Sequence, residues 1–284
     1  MIAFRTLTAS AVLFAVACAP ANQGTSESGN SQAPRLVSGN DSAQARLDSS
    51  PRHGEWVMIP NGDVDSVRAW VVYPERSSEA PVVIVVHEIY GLTPWIRSVA
   101  DQLAADGFIA IAPDYLTGKG ISDTPEGPPR DAAVAAVRAL PPDEVQRRTD
   151  AVARYGMALP AAGDSYGIVG FCWGGSVSFQ HAAHAPNLGA AVVYYGSSPQ
   201  TSSLASVRAP VLGLYGGNDA RVNATIAPAD SAMTALGKTY EQAIYEGAGH
   251  GFLRQQDGQE GANLAASQQA WPATLAWFRR HLVR

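Results

Sequence analysis

VGFCWGGSV, residues 169–177, is the stretch on which the reading of the fold turns. It ends an apolar run, YGIVGF over residues 166–171, and sets Cys172 between Gly170 and Gly174, with Gly175 following. A strand that turns sharply into a helix strains the residue at the turn, and side chains two residues before and after it would collide. Glycine at both places removes the collision, and Gly175 lets the helix lie close to the sheet. The pattern is that of a nucleophile elbow with cysteine at its tip. The start of the helix is expected to favour a thiolate there by lowering the thiol pKa. The plain alternative is a core cysteine beside a glycine pair that packs a helix.

Outward from the elbow, apolar runs alternate with helical spacing. PVVIVV (81–86), FIAIAP (108–113), AAVVYY (190–195), VLGLYG (211–216) and YEQAIYE (240–246) read as strands, the continuous runs as strands buried on both faces. Helical patterns are expected over 94–106, over 131–158 with a break at Pro141-Pro142, over 227–236 and over 264–281. Upstream, EWVMI and VRAWVVY flank Asn61-Gly62 and predict a hairpin of two antiparallel strands. This alternation is the sequence form of an α/β fold with a mainly parallel, doubly wound sheet and helices on both faces. Chemistry in such folds collects at the carboxyl ends of the strands.

Partners for Cys172 stand at those ends. LYGGNDARV places Asp219 just past the strand 211–216, and EGAGHGF places His250 in a glycine-flanked loop after the strand 240–246. Each alone reads equally well as a turn residue or a solvated histidine. Together they form the nucleophile–acid–base order of a triad, in which His250 takes the thiol proton and Asp219 fixes its tautomer. VVHEIYG sets His87, Glu88 and Ile89 after the strand 81–86, in the loop that supplies one oxyanion-hole N–H in α/β-hydrolases. The hole is therefore expected from the backbone N–H groups of Ile89 and Trp173.

These motifs, H-E-I-Y-G-L from His87, A-P-D-Y over 112–115, G-F-C-W-G-G from Gly170, G-N-D from Gly217 and G-H-G-F from Gly249, resemble the dienelactone hydrolase (carboxymethylenebutenolidase) family from about residue 80 onward. The resemblance implies an α/β-hydrolase fold and a Cys–Asp–His triad that opens a cyclic enol-lactone through a thioester. It implies that the glutamate, here Glu88, hydrogen-bonds to the thiol and helps to form the thiolate. It also implies a substrate carboxylate held by two arginines, one matched by Arg254. The other, in the loop after A-P-D, has no counterpart; Lys119 stands nearest, and an ammonium cannot grip a carboxylate with two parallel bonds.

The N-terminus reads as an export signal. Arg5 precedes the apolar stretch LTASAVLFAVA (7–17), and small residues lead to Cys18. This resembles a bacterial lipobox, with residues 1–18 as signal and Cys18 as the acylated first residue of the mature chain. Ordinary cleavage after Ala17 is the alternative. Residues 19–52, rich in Ser, Asn, Gln, Gly, Ala and Pro, read as a flexible tether, which leaves 53–284 as the dienelactone-hydrolase-like domain. The expected location is membrane-anchored, in the periplasm or at the cell surface.

A chain with 46% hydrophobic residues and a net charge of −5 carries no electrostatic footprint for nucleic acid. His181 and His184 lack a third ligand at matching spacing, so no metal or other cofactor is expected. The expected partner is a small ester or lactone, a carboxylate-bearing one if Arg254 serves as an anion clamp. The function expected is thiol-dependent hydrolysis; the alternative from another class is a surface-anchored binding protein that keeps the fold without useful turnover.

Overall fold

The computed structural model describes residues 36–121, 124 and 126–283. In chain order the elements are α1 (Ala43–Asp48), β1 (Gly54–Asn61), β2 (Asp65–Val72), β3 (Ala80–Val86), α2 (Pro94–Ala105), β4 (Ile109–Pro113), α3 (Arg130–Ala139), α4 (Pro142–Met157) and β5 (Ala162–Phe171). Then come α5 (Trp173–Ala182), β6 (Leu188–Tyr194), β7 (Val211–Gly216), α6 (Ala220–Asn223), α7 (Ile226–Ala235), β8 (Tyr240–Tyr245) and α8 (Ala262–Leu282). One eight-stranded sheet runs in the order β1-β2-β4-β3-β5-β6-β7-β8. β1 pairs antiparallel with β2, and β2 with β4; every later pairing is parallel.

The pleat of β3 shows why its sequence is apolar at every place. Val82, Ile84 and Val86 join Val145 and Val152 of α4, Phe179 of α5 and Met233 of α7 in one core. Val83 and Val85 join Val99 of α2 and Trp271 and Phe278 of α8 in the other. Successive side chains of a strand point to opposite faces, so a strand covered on both sides needs both sets apolar. The sheet thus carries helices on both faces, as the alternation of runs predicts. Its strand order reverses around β3 and β5, so the loops after these strands open a crevice at their carboxyl ends, the usual place for a ligand.

The expected boundary of the tether needs correction. The signal stretch 1–18, Cys18 and the tether residues up to 35 lie outside the described residues. From Leu36, however, the chain is folded. Val37 and Ala43 are buried against the α2 side of the sheet, and the Trp95 indole N–H donates to the Ser38 carbonyl at 3.0 Å. Arg46 and Arg52 both pair at 2.8 Å with Asp101, which is only 2% exposed on α2. Composition averaged over 19–52 hides these few anchoring side chains, which hold the segment from Leu36 onward by specific pairing together with the burial of Val37 and Ala43.

Burial alone would raise the Asp101 carboxyl, but hydrogen bonds from Arg52 and Ser50 and the charges of Arg46 and Arg52 outweigh it and hold the pKa below the usual range. A carboxyl lowered on folding contributes stability above its unfolded pKa of about 3.9, and that stability is lost as pH falls through the folded value. Asp101→Ala takes the short carboxylate pairing from two largely buried guanidinium groups and leaves Arg52 only the longer contact with Glu75 at 3.7 Å. It is expected to cost about 3 kcal/mol in urea unfolding at pH 7, with a smaller difference from wild type in strong acid. A loss within 0.5 kcal/mol at pH 7 would show that the segment is not held this way.

Candidate active site

β5 ends at Phe171, and Cys172 takes φ 57° and ψ −114° before α5 begins at Trp173. A positive φ at a non-glycine residue is strained by about 1–3 kcal/mol and persists only where the surroundings impose it. Here the Cys172 N–H donates to the Tyr194 carbonyl of β6 at 3.0 Å, and the Cys172 carbonyl accepts from Ser176 at 3.2 Å. The glycines are needed for the reason the sequence suggests. A Cβ on Gly170 would stand 1.9 Å from the Gly174 oxygen, and one on Gly174 would stand 2.4 Å from the carbonyl oxygens of Val86 and His87. A Cβ on Gly175 would meet the Tyr194 oxygen at 2.6 Å. The start of α5 therefore lies against the end of β3.

That approach sets the environment of the sulfur. The backbone N–H groups of Trp173 and Ile89 both hydrogen-bond toward the Cys172 thiol, which draws its pKa down. They are outweighed. Burial first, then the Glu88 charge, push the thiol up to about 11. The expectation of a resting thiolate is corrected: the helix start and two N–H groups offset only part of the desolvation that the elbow imposes.

The acid and base meet at the carboxyl end of the sheet. Asp219 precedes α6, and its Oδ2 accepts from His250 Nδ1 at 2.5 Å. Their loops are tied together. The Gly217 N–H donates to Tyr245 at 2.8 Å, the Asn218 N–H to Ala248 at 2.9 Å, and the Asn218 side-chain amide to Gly247 at 2.9 Å. The start of α8 holds the histidine loop from below, where Asn263 accepts from the Gly249 N–H at 2.9 Å. Cys172 and His250 line one cavity of about 380 Å³, with Ile89, Trp173, Ser176, Ser197, Tyr195, Arg138 and Arg221. Asp219 stands behind His250 and is buried.

Two expectations about charged groups are corrected. Glu88 is buried and pairs with Arg254, Nε to Oε2 at 2.6 Å, rather than with the thiol. Burial raises the Glu88 carboxyl above its ordinary range, while the Arg254 charge draws it back. Arg254 also lies 5.2 Å from the centre of the Tyr90 ring. It is thus engaged by the protein's own carboxylate, and the guanidinium groups that line the cavity are those of Arg138 and Arg221. Lys119, the nearest stand-in for the second arginine, pairs with Glu144 at 2.7 Å.

His87 is a positioning residue rather than a base. It is wholly buried, and burial lowers its pKa to about 4. Nδ1 stands 2.6 Å from the Glu88 carbonyl and donates to it, which leaves Nε2 to accept the Tyr115 N–H at 3.3 Å. Its ring stacks on Trp173 with centroids 5.3 Å apart. His181 and His184 serve the helix: His181 Nε2 is 2.9 Å from the Tyr166 hydroxyl, and His184 Nδ1 donates to Gln180 at 2.8 Å.

Sequence reasoning missed Tyr195. It follows β6 with φ 40°, sets its ring edge-on to His250 at 5.2 Å and is wholly buried. The signal was present in YYG, because a Cβ on Gly196 would strike the Ser176 nitrogen at 2.3 Å, so this turn is pressed against the elbow.

A sequence model of the dienelactone hydrolase family matches residues 67–282. The chain belongs to this family. A provisionally named carboxymethylenebutenolidase of Salmonella typhimurium is 33% identical over 270 residues, covering 88% of this chain and 92% of that protein. One of Escherichia coli is 33% identical over 237 residues, covering 76% and 83%. Among solved structures, a provisionally named dienelactone hydrolase from Klebsiella pneumoniae superposes with a TM-score of 0.69 at 30% identity, covering 81% of this chain and 99% of that one. Dienelactone hydrolase from Anabaena variabilis, at 22% identity and a TM-score of 0.61, shares the fold. Membership makes this protein a hydrolase of the dienelactone hydrolase type, acting on lactone or ester bonds of a small molecule.

The neutral thiol has a direct consequence. Iodoacetamide should alkylate Cys172 at pH 7 about two orders of magnitude more slowly than an exposed thiol of pKa about 8.5. The rate should climb toward an inflection near pH 11 in the substrate-free protein. A rate that levels off by pH 8 would contradict the raised pKa.

Proposed function

We propose that the protein hydrolyses ester or lactone bonds by covalent catalysis at Cys172 through a Cys172–His250–Asp219 triad. The observation that carries this reading is that Cys172, at the strained elbow, and His250, held by Asp219, face one cavity. The sulfur attacks the substrate carbonyl while His250 Nε2 takes the thiol proton, so no free thiolate has to accumulate at rest. Asp219 holds the Nδ1–H tautomer and stabilises the imidazolium. The carbonyl oxygen, now an oxyanion, accepts from the Ile89 and Trp173 N–H groups, a kind of contact worth about 3 kcal/mol of barrier per donor.

Collapse breaks the ester C–O bond, and His250 returns its proton to the departing alkoxide or enolate. A water, deprotonated by His250, then cleaves the thioester; the acid leaves, and the thiol regains the proton. Departure of Glu88 from Arg254 toward the thiol, as the family resemblance implies, would give the sulfur a second proton acceptor. In the resting arrangement the buried ion pair opposes that movement.

We further propose that the protein is exported and anchored through acylated Cys18, a reading supported by the small residues that lead to this cysteine after an apolar stretch. Wild-type protein made in bacteria is then expected to incorporate labelled fatty acid, and Cys18→Ala to lose the label. Label retained in the variant would refute the anchor.

For the catalytic assignment, Cys172→Ala should abolish turnover of p-nitrophenyl acetate, and Cys172→Ser should leave a weak residue of it. Asp219→Asn should lower kcat by about 10³–10⁴ with the fold intact. Undiminished turnover in the alanine variant would end the assignment.

A further inference from the structure

A second, larger cavity of about 660 Å³ adjoins the catalytic one, and the mechanism above leaves it unused. Trp173, Ser176 and Ser197 line both, so the two spaces share a wall at the first turn of α5. From there the larger cavity follows α5 and the turn after it to His184, between that helix, the start of α4 and the loop after β6. The ten residues of α5 span about 15 Å. Near the nucleophile its walls are apolar: Trp173 and Val177 on α5 face Leu140 and Val145 across the space, with Pro199 from the loop. The far end, at Gln180 and His184, is exposed.

The position of the base decides which half of a substrate lies there. His250 lines the catalytic cavity but not the larger one. A leaving group must sit beside His250 to receive its proton. With the carbonyl carbon at Cys172 and its oxygen at the Ile89 and Trp173 N–H groups, the acyl substituent is the part left to turn along α5. Trp173 is a firm wall for it, because its ring is packed on His87 and edge-on to Tyr115.

We propose that this cavity is the acyl subsite, and that the preferred substrates are esters or lactones whose acyl part carries an extended apolar chain of several carbons. The proposal rests on the hydrolase reading given above. Binding energy gained along such a chain, away from the reacting atoms, raises kcat/KM.

The test is a series of p-nitrophenyl esters from acetyl to hexanoyl. Burial of one methylene corresponds to about a fourfold gain, so kcat/KM should rise by about two orders of magnitude across the series. Val177→Trp, which fills the cavity near its apolar end, should collapse the hexanoyl-to-acetyl ratio to below about fivefold. A flat or falling wild-type series, with Cys172-dependent acetate turnover intact, would overturn the subsite and leave the hydrolase reading standing. Calorimetric binding of octanoate and butyrate to the wild type reads the cavity without chemistry. Octanoate should bind about two orders of magnitude more tightly than butyrate, and Val177→Trp should remove the difference. Preserved octanoate selectivity in a protein that turns over no ester would refute the hydrolase reading but support the apolar subsite; equal binding of the two acids would overturn the subsite.

Discussion

The close approach of Gly170 to Gly174 is the contact on which the rest of the site depends. With 1.9 Å between a Cβ at Gly170 and the Gly174 oxygen, no larger residue fits. The chain can then reverse from β5 into α5 within one residue, at the cost of a positive φ at Cys172. The same tight turn presses α5 onto the end of β3, because Gly174 rests against the carbonyls of Val86 and His87. That contact brings the Ile89 and Trp173 N–H groups to one point. Sulfur, hole and helix start are therefore one steric unit, imposed by three glycines on a parallel sheet whose central strands are buried on both faces.

The electrostatics of that unit are a contest which burial wins. A helix start and two N–H groups favour the thiolate, yet desolvation and the Glu88 charge hold the thiol neutral. Activation then belongs to the moment of attack and to the His250–Asp219 pair rather than to the resting cysteine. Glu88 and Arg254 neutralise one another in the same buried layer, so a charge that would otherwise be costly beside the sulfur is already partnered. A thiol held neutral is also slow to oxidise, which suits a protein proposed to work outside the cytoplasm.

Much of this was legible in the amino-acid order because it follows from local sterics and period. The strands at 81–86, 108–113, 166–171 and 211–216 stand out as apolar runs, and both loops that carry Asp219 and His250 follow strands that the runs predict. The glycines at 170, 174 and 175 state the elbow in the sequence itself. The sequence could not show which charges meet. Glu88 and Arg254 are 166 positions apart, and only the folded chain shows that they pair with each other at rest. The thiol pKa depends on summed burial, which no motif encodes. Residues 36–52 were hidden for a related reason: their order comes from Arg46 and Arg52 finding Asp101 on α2, inside a stretch whose average composition is that of a linker.

In the proposed mechanism the Cys172 sulfur carries the acyl group during turnover. Acid quenching within the first turnover of an activated ester, followed by intact-protein and peptide mass spectrometry, tests it most directly. The expected result is a mass increase equal to the acyl group, located on the peptide that contains Cys172 and cleared by hydroxylamine. Substrate consumed through repeated turnovers while Cys172 never carries the group, or the group found on another residue, would contradict it.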